Sequence, residues 1–248
     1  MLSNKYFWAL LLLFTVLMGC DQASKSSDNT MQLSGSIDGL RKGTVYLQKM
    51  QDSTLVSIDS VVVNGSPKFA FKTEVESPEI YYLYLNKEDG DSLNDRILFF
   101  GEPGQITINT LLKTFESSAE VIGSKNQVLL QEYRKLARQF DSKNLDYIKA
   151  YFEAAKEDSS GAAVDSIQRA MDNLIKRRYL YALNFASTHG DNVIAPFIAL
   201  TEVYDANVRF LDTVASKLSD RVRDSKYGKE LIDFIAERKA AAAAATTP

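Results

Sequence analysis

The sequence predicts an α+β protein: an N-terminal antiparallel β-sandwich or barrel of about eight strands, followed by an all-helical region of about six helices. Two observations carry this. Between Met31 and Ile122 short β-rich runs alternate with Gly, Pro, Asn and Asp, the punctuation of strands and tight turns. After Gly123 the apolar period changes from two to 3.6. A third observation ties the halves together. Two strands are apolar on both faces, so a second layer must cover them.

The eight strand candidates are Leu33 to Ile37, Thr44 to Lys49, Thr54 to Val63, Lys68 to Thr73, Ile80 to Leu85, Arg96 to Phe100, Gln105 to Thr110 and Glu120 to Ile122. Asp38-Gly39 and Asn64-Gly65 supply residues that tolerate positive φ where hairpins need them. Glu102-Pro103-Gly104 places Pro and then Gly as a type II turn requires. In Ile80 to Leu85 and in Ile97 to Phe100 the alternation is lost because every position is apolar or aromatic. A helical stripe is therefore expected to pack around Tyr82 and Phe99, making the two halves one unit.

The helices follow from their stripes. Ser124 with Gln127 has the spacing of a capping box and precedes Leu129, Tyr133, Leu136 and Phe140. A second helix carries Leu145, Ile148, Phe152 and Ala155. A third runs from about Ala162 to Thr188 and stops at Gly190. Pro196 opens a fourth that reaches about Val203, and Ala206 to Leu218 and Ser225 to Lys239 complete the set. The alanines from Ala240 lack apolar bulk, so fraying is expected there.

The resulting organisation is a signal peptide over 1–19, a lipidated cysteine and flexible tether over 20–30, the β domain over 31–123, the helical region packed on it over 124–240, and a disordered Ala/Thr tail over 241–248. The signal rests on Lys5, the apolar core Phe7 to Met18, and Gly19 before Cys20. Leu17-Met18-Gly19-Cys20 reads as a lipobox, with cleavage between Gly19 and Cys20 and acylation, palmitate included, of Cys20. A membrane span needs about 18 or more apolar residues, and this run is shorter. The expected location is the cell envelope, anchored to a membrane, the outer one preferred, with the folded part facing the periplasm or the cell surface.

Composition narrows the chemistry. Of 29 basic residues only Lys5 lies in residues 1–19, leaving 28 against 32 acidic ones, a net charge of about −4. No basic stripe suggests nucleic acid, and Lys176-Arg177-Arg178 reads as a solvated helix face. Cys20 is the only cysteine. Once it is acylated the chain has no thiol for a disulfide, a C-x-x-C pair or a thiolate zinc site. The only histidine, His189, falls in the last turn of a helix, where a cation suits the dipole. No G-x-S-x-G accompanies it. The acidic run Glu88 to Asp95 offers oxygen ligands but misses the EF-hand spacing, and no catalytic, metal or cofactor site is assigned. Tyr46, Tyr81, Tyr82 and Tyr84 read first as core. Tyr82, Tyr84 and Phe99 are the residues nominated for a ligand or partner surface, and an open edge strand could take up a partner's strand.

Gly35-Ser36-Ile37, Gly43-Thr44-Val45-Tyr46-Leu47, Ile58-Asp59-Ser60-Val61, Gly65, Phe69-Ala70-Phe71, Pro78, Phe99 to Gly104 and Gly123-Ser124-Lys125-Asn126 together resemble the domain of unknown function 4369. That domain is typical of envelope lipoproteins of the Bacteroidota. The resemblance covers about residues 31 to 126. It implies a β domain with a helical spacer, often followed by a thioredoxin-like module carrying C-x-x-C, for which this chain has no second cysteine. The expected function is a non-enzymatic binding or interaction module with an envelope protein or peptide as partner. The alternative is an accessory subunit or remnant of a thiol-disulfide oxidoreductase system, working with a separate thioredoxin-like protein. A hydrolase is the third reading.

Overall fold

The computed structural model describes residues 29–87, 96–157 and 161–246. The signal segment, Cys20 and the acidic run Glu88 to Asp95 lie outside the described residues.

Among the described residues eight strands form two four-stranded sheets. They are β1 (Thr30–Asp38), β2 (Lys42–Gln51), β3 (Thr54–Asn64), β4 (Lys68–Glu74), β5 (Glu79–Asn86), β6 (Arg96–Gly101), β7 (Gly104–Leu111) and β8 (Glu120–Ile122). The first sheet has the order β4-β1-β7-β8 and the second β3-β2-β5-β6. Leu33, Ile37, Ile106 and Ile108 of the first sheet meet Val45, Leu47, Tyr81, Leu83, Leu85 and Phe99 of the second in one buried core. The architecture is thus a sandwich.

All pairings are antiparallel except β1 with β7, which run parallel from Met31↔Gly104 to Asp38↔Leu111. The expected antiparallel arrangement holds for the other pairings and is corrected for this one. Between β1 and β7 the chain leaves for the second sheet, returns once as β4, and leaves again, so β7 re-enters beside β1 in the same direction. Gly35 permits the approach: a Cβ there would lie 1.8 Å from the Ile108 carbonyl oxygen.

Six helices follow among the described residues: α1 (Lys125–Glu157), α2 (Ala162–Thr188), α3 (Ile194–Glu202), α4 (Val208–Ser216), α5 (Asp220–Arg223) and α6 (Lys226–Thr246). The two helices expected between Ser124 and Ala155 are one helix of 33 residues. Asp141-Ser142-Lys143-Asn144, between the two stripes, holds no Gly or Pro to break it. The short α5 is unanticipated, being too brief to show a period. The alanines of the tail continue α6 to Thr246, because alanine has the highest intrinsic helix propensity and needs no packing partner to stay helical. Among the described residues no helix is long and apolar enough to cross a membrane.

The helices build a second core from Leu130, Tyr133, Ala182, Phe185, Ile194, Ile198, Leu211 and Leu231, and this core also takes in Ile80 and Phe100 of the sheet. At Ile80 and Phe100, therefore, strands β5 and β6 have apolar surroundings on both faces. The triplet Lys176-Arg177-Arg178 is not uniformly a solvated face. Arg178 bonds Glu202 of α3 at 3.0 Å and approaches Asp141 of α1 at 3.7 Å, tying three helices together.

Candidate binding cleft at the seam of sheet and helices

The register of the second sheet sets out its outer face in rows. Ile80 pairs with Phe100, Tyr82 with Gln48 and Leu98, and Tyr84 with Tyr46 and Arg96. The helices cover the first row, border the second and leave the third open.

The covered row is held by aromatic edges and by backbone bonds. Phe100 meets Phe197 of α3 edge-on at 5.6 Å and Tyr227 of α6 at 6.2 Å. Both strands also give an amide to a helix side chain: Phe100 N donates to Gln127 Oε1 at 2.9 Å and Ile80 N to Tyr227 Oη at 3.1 Å. Lys226 adds a backbone bond to Ser77 Oγ at 3.0 Å, and its ammonium meets Glu79 at 2.5 Å. Lys49 reaches the other oxygen of the same carboxylate at 3.4 Å. Glu79 is buried, and two partly exposed cations compensate it.

Glu102 and Ser124 to Gln127 form the other half of this seam. Ser124 Oγ accepts the Gln127 amide at 3.0 Å, as a capping box requires. The reciprocal arm goes elsewhere, since the Gln127 side chain serves Phe100. Glu102 takes over, accepting from the Lys125 amide and from Asn126 Nδ2, each at 2.5 Å. Asn126 Oδ1 in turn accepts the Ile194 amide at the start of α3, at 3.0 Å. These residues seat two helix starts on the sandwich.

The second row floors a cleft of about 820 Å³, walled by Phe197 and Thr201 of α3 and by Tyr227 and Glu230 of α6. Across from them the β2–β3 hairpin overhangs the opening. Its two-residue loop, Asp52-Ser53, has φ of +47° and +67°, the backbone of a type I′ turn. The lining is aromatic and apolar at the base, with Lys49, Asp52, Lys226 and Glu230 at the rim. Burial raises the Glu230 carboxyl above its ordinary value, with Lys226 opposing and Glu79 adding to the rise. Burial likewise raises the Tyr227 phenol, which stays protonated.

Of the nominated surface residues, Tyr82 lines this cleft. Tyr84 lies one row beyond it, stacked on Tyr46 at 5.7 Å, with the Arg96 guanidinium 4.7 Å above its ring. Phe99 is corrected: it is fully buried in the sandwich, against Tyr81 at 6.0 Å. Its neighbour Phe100 is the one that faces the helices. His189 caps α2 with Nδ1 2.8 Å from the Phe185 carbonyl oxygen, its ring stacked on Phe185 at 4.1 Å. No group of three or more His, Cys, Asp and Glu able to hold a metal occurs among the described residues. Phe197, Tyr227 and the Asp52-Ser53 turn were not foreseen. Only the turn left a signal, a polar pair between two β-rich runs.

Fold and cleft define a class, an eight-stranded sandwich whose outer face is roofed by a helical region with a binding-sized cleft at the junction. Residues 31–130 match the sequence model of the Domain of unknown function (DUF4369). No curated protein and no solved structure matches the chain.

Proposed function

We propose that the protein is a non-enzymatic, lipid-anchored lipoprotein of the cell envelope that holds an extended apolar segment of a protein or peptide partner in the seam cleft. The cleft carries this reading. Binding sites are concave, mostly apolar, and oriented by a few polar groups, and here Tyr82, Leu98, Phe197 and Tyr227 supply the apolar walls while charged side chains ring the mouth. The lipobox ending at Cys20 supports the anchor, with the folded part facing the periplasm or the cell surface.

Two experiments test the two parts. Cys20→Ser should abolish acyl labelling and membrane association, and unchanged labelling would sink the anchor. For the cleft, peptides selected by display on the intact chain should lose binding to Thr201→Trp, which fills the cleft from its α3 wall, and to Tyr82→Ala. Selected peptides that bind Thr201→Trp as well as the parent would overturn the assignment.

A further inference from the structure

A second cleft, of about 660 Å³, opens on the other side of Leu98, between α1 and the segment joining β7 to β8. One strip of α1 lines it with Gln131, Arg134, Lys135 and Arg138, and Glu116 stands on the opposite wall. None of the three cations makes an ion pair among the described residues. Glu202, the acid whose charge acts most on Arg134, is itself engaged by Arg178 at 3.0 Å. Arg134 is half-buried, and burial together with the adjacent Arg138 pulls its guanidinium below its ordinary value, against the opposing influence of Glu202. Arg134 and Arg138 are four residues apart on one helix, where like charges repel. A helix that carries this arrangement against a concave wall gains by admitting an anion.

The charge count suggests which anion. Three cations against Glu116 leave two uncompensated positive charges in the lining. A phosphate monoester carries about −1.5 to −2 near neutral pH, and its oxygens suit guanidinium donors. We propose that this cleft binds a phosphoryl group, with Arg134 and Arg138 as the principal donors and Gln131 and Lys135 at the edge. The site is independent of the peptide cleft, and neither needs the other.

The test uses the full chain carrying Cys20→Ser, titrated with inorganic phosphate at constant ionic strength and followed by amide chemical shifts. Saturable shifts should centre on the Arg134 to Arg138 turn of α1 and on Glu116, and an equal ionic strength of chloride should not reproduce them. Arg134→Gln should weaken binding by about tenfold or more, the loss of one charge-assisted bond. Glu116→Gln should tighten it by a few fold, an outcome that misfolding cannot mimic. A second arm identifies the source of the phosphoryl group. Vesicles of phosphatidylglycerol and phosphatidylcholine that retain the parent more than Arg134→Gln, and release it to free phosphate, assign the group to a lipid headgroup. Equal retention of parent and variant, with phosphate still binding, assigns it to a soluble ligand. Absence of saturable phosphate binding, or equal phosphate affinity in Arg134→Gln, overturns the proposal, as does binding of a glutamate-rich peptide in this cleft without binding of phosphate.

Discussion

Tyr227 Oη accepts the amide hydrogen of Ile80 at 3.1 Å, so a side chain of the last helix completes the backbone bonding of a strand 147 positions earlier. Tyr227→Phe keeps the ring contacts with Phe100 and Phe197 and removes only this acceptor. It should lower stability by about 1–3 kcal/mol, the cost of an amide left unsatisfied, in urea unfolding. A larger loss is expected for Tyr227→Ala, about 3 kcal/mol or more, because the aromatic cluster goes as well.

The strands and the period change were legible in the sequence because turn chemistry and alternation are local. The need for a covering layer was legible too, since an all-apolar strand has no solvent face. What that layer would touch was not. In Ile97-Leu98-Phe99-Phe100 both faces are apolar, so alternation cannot say which phenylalanine points outward, and a slip of one residue exchanges the faces. The sequence favours neither, and Phe100 is the contact, with Phe99 inside the sandwich. The cleft was half legible for a related reason. Tyr82 belongs to a readable strand, whereas Phe197 and Tyr227 meet it only through the packing of α3 and α6, which leaves no short-range pattern. The parallel pairing of β1 with β7 was hidden likewise, being a matter of topology.

Glu102 and Asn126 act as a pair at the start of α1. Glu102→Gln should cost about 1–2 kcal/mol through the weakened cap, and Asn126→Ala more, because it also frees the Ile194 amide. A double-mutant cycle should return a coupling of about 0.5–3 kcal/mol. A coupling of zero would show that the two side chains do not share a network.

The sandwich and the helical region should unfold together. Ile80 and Phe100 lie in the helical core, so a fragment ending at Ile122 would expose them. Limited proteolysis of the native protein is expected to leave no stable fragment of residues 31 to 122. Recovery of such a soluble, folded fragment would contradict the one-unit architecture.

Glu230 has a carboxyl raised by burial above 4.5. Between that ordinary value and the raised one, the native state holds more protons than the unfolded state, so stability falls as pH rises through the window. Glu230→Gln lacks this fall. Thermal unfolding from pH 4 to 7 should show parent and variant converging at the acid end and the variant ahead at neutral pH; a variant less stable at pH 7 would reverse the assigned sign.

The turn at Asp52-Ser53 offers a gain instead of a loss. Ser53 holds φ +67°, a region in which glycine is unstrained. Ser53→Gly should raise the melting temperature slightly, by relief of up to about 1 kcal/mol.

The position of β1 has a mechanical consequence. β1 begins at Thr30, directly after the N-terminal segment, and it is an inner strand, bonded to β4 on one side and to β7 on the other. A pull entering through the N-terminus would run along the axis of this strand and load both ladders in shear, so that their rungs resist together instead of opening one at a time.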